Sequence, residues 1–152
     1  MPENKMVKNY DCRNAMEDLF DNQSYYEEYD LAKDSFESAE ILYEKEKYRG
    51  AYIQLFIGLQ NLGQAVVIYR FKKRTKSKLC QFVYLKEQKL LPEKEIDLLS
   101  SLIKKRNDIY YNNPTSNAYI DKKEYDEIYK KVKKLIEILE DLLWNIQTNY
   151  SH

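Results

Sequence analysis

Ala51-Tyr52-Ile53-Gln54-Leu55-Phe56-Ile57-Gly58-Leu59-Gln60-Asn61-Leu62-Gly63-Gln64-Ala65-Val66-Val67-Ile68-Tyr69 is the stretch that decides the fold class. One stripe, Tyr52, Leu55, Phe56, Leu59, Leu62, Val66 and Tyr69, recurs at helical spacing. Ile53, Ile57, Ala65 and Ile68 spread apolar surface over the other faces. A helix that is apolar nearly all round belongs at the centre of a helical core or under a second subunit. Gly50, Gly58 and Gly63 are the only glycines, and all lie at its start or inside it. A mid-helix glycine costs about 1 kcal/mol against alanine. Two of them suggest close backbone approach by another helix or subunit, with tolerance in a well-packed core as the plain alternative.

Outward from this helix, read as 51–73, the pattern stays helical. Upstream, Tyr29, Ala32, Phe36, Ala39 and Tyr43 mark a helix over 24–46, and Tyr48-Arg49-Gly50 reads as the turn between the two. Residues 1–23 read as a polar extension, with Cys12, Ala15, Met16, Leu19 and Phe20 forming one short amphipathic helix capped by Asp11. Downstream, Leu79, Phe82 and Val83 point inward from a short helix over 78–88. Pro92, with Glu93 and Glu95 in the first turn, opens a helix over 92–111. That helix stops near Asn112, because Asn113 precedes Pro114. After a polar loop, Asp121 and Glu124 form a capping box for a helix over 121–148, with the stripe Tyr125, Ile128, Tyr129, Val132, Leu135, Ile136, Leu139, Leu142, Leu143 and Ile146. No strand alternation and no internal repeat is present. The expectation is an all-α, antiparallel up-and-down bundle of four to five helices, with 24–152 as a single domain.

Composition narrows the chemistry. The only histidine is His152, so reactions that need an internal histidine are ruled out. Cys12 and Cys80 read as isolated thiols without metal-ligand spacing, which points to a reduced, cytoplasmic setting and to no metal and no cofactor. MPENKMVKNYDC lacks the apolar core of a secretory signal, and runs such as Leu55–Leu59 and Ala65–Tyr69 are too short to span a bilayer, so no membrane is expected. The net charge of zero hides an asymmetry. Residues 1–46 carry 5 basic and 13 acidic side chains, residues 47–134 carry 20 and 9, and residues 135–152 carry 0 and 3. The middle is basic enough to meet a phosphate backbone or an acidic protein. Neutralisation by the acidic first helix is the equal alternative.

Two clusters stand out as candidate sites. Arg70, Lys72, Lys73, Arg74, Lys76 and Lys78 put six cations in nine residues, more than a helix C-terminus needs, and with Arg106 they are the candidate RNA- or phosphate-binding residues. Arg106 falls on the apolar stripe Ile96, Leu99, Ile103, Tyr110, where a charge is expensive without a carboxylate, a buried amide or a phosphate as partner. Asp108 points elsewhere on the helix, so a carboxylate partner would come from another helix. Fifteen tyrosines invite a base-stacking role, but many fall on core stripes, where packing is the simpler use.

The element order over residues 25–148, the central Ile57–Val66 segment, and Arg106-Asn107 late in a following helix resemble the HEPN superfamily. That family carries an Arg-Asn-x3-His signature, and here Tyr111 stands at the histidine position, as in a variant branch with Arg-x4-Tyr. The resemblance implies a homodimer with the signature residues facing a shared cleft. It also implies either a metal-independent ribonuclease, often a toxin, or a non-catalytic binding subunit, frequently partnered by a minimal nucleotidyltransferase as antitoxin. Arg106 would then contact phosphate and Asn107 would orient it. The tyrosine that is modified in some toxin members corresponds to Asn113, so that modification site is missing. An ordinary tyrosine is only roughly one-thousandth ionised at pH 7, a poor replacement for histidine. Residues five apart also diverge by about 140° on an ideal helix. The leading expectation is therefore a dimeric HEPN-like binding protein, a partner of a nucleotidyltransferase that also contacts RNA. The alternatives are an active endoribonuclease toxin with Arg106, Asn107 and Tyr111 as catalytic residues, and a purely structural helical adaptor.

Overall fold

Five helices and one very small sheet make up the computed structural model, which describes residues 12, 14–77, 79–111 and 119–144. In chain order these are β1 (Met16–Asp18), α1 (Tyr25–Glu44), α2 (Tyr48–Phe71), β2 (Lys73–Thr75), α3 (Cys80–Glu87), α4 (Glu93–Tyr111) and α5 (Lys122–Trp144). The expected all-α character holds, with both strands only three residues long. Asp11, Asn113, Pro114 and Ile146 lie outside the described residues.

The apolar surface of α2 is consumed inside the chain. Leu59, Leu62, Ala65, Val66, Val67 and Ile68 are fully buried, and α1, α3, α4 and α5 all pack against the helix, α1 most extensively. By length and mean hydropathy, 1.3, α2 is long and apolar enough to cross a membrane, because the separate apolar runs of the sequence merge into one helix-long window. In this fold 67% of that window is buried. The two inner glycines have neighbours within the same chain. A Cβ on Gly58 would collide with the Phe36 ring of α1, and one on Gly63 would lie 2.7 Å from Phe82 Cε1 of α3. The close approach suggested by these glycines is thus made by Phe36 and Phe82, which need no second subunit.

Two local readings are corrected. Tyr48-Arg49-Gly50 is the first turn of α2, not the connection. The chain reverses over Lys45-Glu46-Lys47 instead: Glu46 takes φ 60, and the Lys47 N–H bonds to Leu42 O at 2.8 Å. A helix can end on a non-glycine residue in the left-handed region when backbone bonds close the turn, and here they do. The N-terminal segment is also not a short helix. Met16, Glu17 and Asp18 pair antiparallel with Thr75, Arg74 and Lys73, and Phe20, assigned to the apolar face of that helix, is 99% exposed. Lys72, in the left-handed region at φ 55, ends α2 and turns the chain into β2. Three-residue strands carry no alternation to read, and their partners are far apart in sequence.

Cys12 and Cys80 are joined in a disulfide across 68 residues. They are not the isolated thiols expected, and a persistent disulfide belongs to oxidising surroundings. With both cysteines bonded, they give no ground for expecting a reduced setting. The Asp121 cap forms as expected, with the Glu124 N–H bonding Asp121 Oδ1 at 2.9 Å. The reciprocal half of the box does not, because the Glu124 carboxylate turns to Lys105.

Candidate functional site

α4 positions Arg106, Asn107 and Tyr111. Ile96, Leu99 and Ile103 are buried, and the stripe emerges at the surface with Arg106 half-buried and Tyr110 51% exposed. The Arg106 guanidinium lies 4.5 Å from the Tyr110 ring centroid and 5.9 Å from that of Phe56 in α2. Its Nη1 donates to Asn107 Oδ1 at 3.2 Å. Of the three partner classes expected, only an amide is present, and it is half-buried rather than buried. Two aromatic faces, a partner class the sequence argument omitted, supply the rest through cation–π contact. Asp108 pairs with Lys104 at 3.5 Å, and no carboxylate among the described residues lies within ion-pair distance of Arg106.

Tyr111 does not join this cluster. It is 77% exposed and has no hydrogen bond or ring contact with Arg106. The ring that covers the guanidinium is its neighbour Tyr110, four residues from Arg106 and so on the same helix face. A second guanidinium stands at this helix end, with Arg49 Nη2 reaching Ile109 O at 3.5 Å. Sequence reasoning missed Arg49 because it assigned that residue to a turn.

The truly buried cation of α4 is Lys105, 8% exposed, one residue before the position singled out. Its ammonium donates to Tyr119 O at 2.8 Å and pairs with Glu124 at 3.0 Å. The signal was available: Leu102, Lys105 and Ile109 lie at helical spacing, so Lys105 sits under an apolar stripe of its own.

Three of the six cations of the basic stretch are spent on the fold. Arg70 Nε donates to Leu142 O at 2.9 Å. Lys73 pairs with Asp18 across the strand ladder, and Asp18 raises its ammonium pKa above the ordinary lysine value. Arg74 pairs with Glu28 of α1 at 3.0 Å. Lys72 and Lys76 are exposed, and Lys78 lies outside the described residues. Gln64, part of the segment on which the family resemblance rests, has a structural use here. Its amide donates to Thr75 O at 3.1 Å and accepts from Thr75 N at 3.0 Å, which closes the free edge of β2.

A second cationic feature escaped the sequence argument. Lys94 of α4 and Lys130, Lys131, Lys133 and Lys134 of α5 line a groove of about 850 Å³ between these helices, with Glu95, Asp97 and Glu137 among them. The four lysines of α5 flank its apolar stripe, where a solvated face is the default expectation. The groove and the Arg106 cluster share no residue.

The chain matches no family model, no curated protein and no solved structure.

Proposed function

We propose that this chain is a non-catalytic HEPN-like binding protein, an antiparallel helical bundle that grips RNA phosphate through Arg106. The observation that carries the reading is the cradle of Arg106: a guanidinium covered by Tyr110, 5.9 Å from the Phe56 ring centroid, tied to Asn107 and paired with no carboxylate among the described residues. Such a guanidinium keeps part of its N–H fork for a phosphate, which it can bind bidentately. Half-exposed Tyr110 beside it offers a face for base stacking. Strand scission would need a group that exchanges protons near neutral pH beside the phosphate. The neighbours of Arg106 are an amide and two rings, and Tyr111 stands apart, which favours holding over cutting.

A nucleotidyltransferase partner and a homodimer belong to this proposal on the strength of the resemblance. The glycines and the apolar surface of α2 are used within one chain, so a dimer would be built on other surfaces. The test is binding of labelled single-stranded RNA, with the same mixtures run on a denaturing gel. The expected result is intact RNA and at least tenfold weaker binding by Arg106→Ala. Cleavage that disappears in Tyr111→Phe would establish the ribonuclease alternative. Absent or unchanged binding would leave the structural adaptor, a reading favoured by the internal pairing of Lys73 and Arg74.

A further inference from the structure

A groove between α1 and α5 encloses about 530 Å³, within the span of small-molecule pockets, about 300–1,000 Å³. Its floor is apolar, made by Ala39, Leu55 and Ile136. Tyrosines form much of its wall. The Tyr43 and Tyr125 rings lie 5.2 Å apart, and Tyr125 stacks on Tyr129 at 6.3 Å with an interplanar angle of 14°. Three carboxylates complete the lining, Glu40 and Glu44 from α1 and Asp126 from α5, with no lysine or arginine among the lining residues. Glu40 and Glu44 are exposed, one helical turn apart, and no described cation lies within ion-pair distance of either.

The end of the groove at Asp126 already holds an ammonium. Lys122 Nζ lies 3.0 Å from Asp126 Oδ2 and 5.6 Å from the Tyr43 ring centroid. The Tyr43 hydroxyl donates to Asp126 Oδ1 at 2.7 Å. A ring and a carboxylate thus recognise the chain's own cation in the way that aromatic cages recognise ammonium ligands. The rest of the groove has the same two elements, the Tyr125 ring of α5 and the Glu40 and Glu44 carboxylates of α1, and no lysine or arginine among its described lining residues.

We infer that this groove binds an aliphatic diamine. One ammonium takes Glu40 and Glu44 on the α1 wall. The methylene chain lies over the apolar floor and the Tyr125 and Tyr129 rings. The second ammonium displaces Lys122 at Asp126 and Tyr43. Negative charge on both walls favours two cationic ends over one, and an anionic ligand would meet three carboxylates. The groove shares no residue with the Arg106 cluster and does not depend on RNA binding.

Calorimetric titration of the full chain with 1,4-diaminobutane tests this, with 1,4-butanediol as the uncharged analogue and choline as the single cation. The diamine should bind saturably at one site, the diol should not bind, and choline should bind at least tenfold more weakly. Glu40→Gln with Glu44→Gln should weaken the diamine at least tenfold, and Tyr129→Ala should weaken it too. Lys122→Gln should strengthen it severalfold, because it vacates Asp126 and Tyr43. Glu40, Glu44, Lys122 and Tyr129 are all exposed, so circular dichroism should show every variant folded. The inference is overturned by any of four results: no saturable heat, equal affinity for choline, indifference to the double glutamine variant, or weaker binding by Lys122→Gln.

Discussion

Lys105 and Glu124 form an ion pair 3.0 Å long that fastens α4 to the first turn of α5, and its two ends differ in burial: 9% of the lysine side chain is exposed against 42% of the glutamate. Loss of the lysine leaves a carboxylate that water can solvate. Loss of the carboxylate leaves a buried ammonium with Tyr119 O as its remaining partner. Glu124→Gln should therefore destabilise the fold by about 1–3 kcal/mol, the cost of an under-satisfied buried charge. Lys105→Met should cost clearly less. Urea denaturation of the two variants measures the difference, and a larger loss in Lys105→Met would contradict this asymmetry.

The disulfide should matter more than any single ion pair. Cys12 and Cys80 close a loop across 68 residues, for which the chain-entropy model gives about 4 kcal/mol. It also holds the segment that carries β1 against β2, a ladder of only three residue pairs. Denaturation with and without dithiothreitol should separate by several kcal/mol, and Cys12→Ser with Cys80→Ser should match the reduced protein. A thiol assay on the native protein should find no free cysteine. Coincident denaturation curves would show that the bridge contributes nothing.

Periodicity carried most of the fold because long amphipathic helices repeat their signal. The Val132, Leu135, Leu139, Leu142 stripe of α5 and the all-round apolar α2 were legible, with both ends of α2 and the start of α5 within about three residues. The three-residue ladder was not, since its pairing joins segments that say nothing of each other locally. The Cys12–Cys80 bridge was hidden for the same reason. At the candidate site the sequence pointed to Arg106, which is half-buried, while the buried cation, Lys105, stands one residue before it. Lys105 and Arg106 differ by about 100° in azimuth, and packing of the 119–124 segment decided which was buried. The second ring over Arg106, Phe56, could not be anticipated without knowing how α2 meets α4.

The pH dependence has a definite sign at each end. The Tyr43 hydroxyl and then the Lys122 ammonium hold Asp126 below its ordinary carboxylate value. A group with a lowered folded-state pKa contributes stability above its unfolded pKa of about 4 and loses it as pH falls through the folded value. Asp126→Asn should therefore flatten stability below about pH 4. At the alkaline end, the Tyr26 hydrogen bond and then burial push Tyr25 up to about 12, and burial raises Tyr52 and Tyr125. Their contribution is complete below about pH 10 and is lost as pH rises through the raised values. Absorbance titration should show a late class of tyrosines that ionises with unfolding. A single transition near 10 would contradict the burial.

If the chain binds RNA as proposed, the salt dependence of binding separates the two basic features. Lys73 and Arg74 face Asp18 and Glu28, so Lys73→Gln with Arg74→Gln should lower stability slightly, as surface pairs do, and leave the salt slope nearly unchanged. Arg106→Ala should reduce that slope by about 0.7, the value for one lost phosphate contact on a single strand. The reverse result would move the RNA to the basic stretch and away from α4.

Arg106→Ala should also leave the fold almost as stable as before. A structural ion pair would strand a buried carboxylate on truncation and cost several kcal/mol. No described carboxylate faces Arg106, and what the variant loses is a cation–π contact with half-exposed Tyr110, a longer one with Phe56 and a hydrogen bond to half-buried Asn107. These sum to about 1 kcal/mol or less at a site open to water, partly offset because a charge leaves an apolar face. The thermal midpoint should shift by a few degrees at most. Lys105, its buried neighbour, provides the internal scale, since disturbing its pair through Glu124→Gln should lower the midpoint more. A fall in Arg106→Ala as large as that in Glu124→Gln, with RNA binding unaltered, would make Arg106 a packing residue and remove the basis of the proposed function.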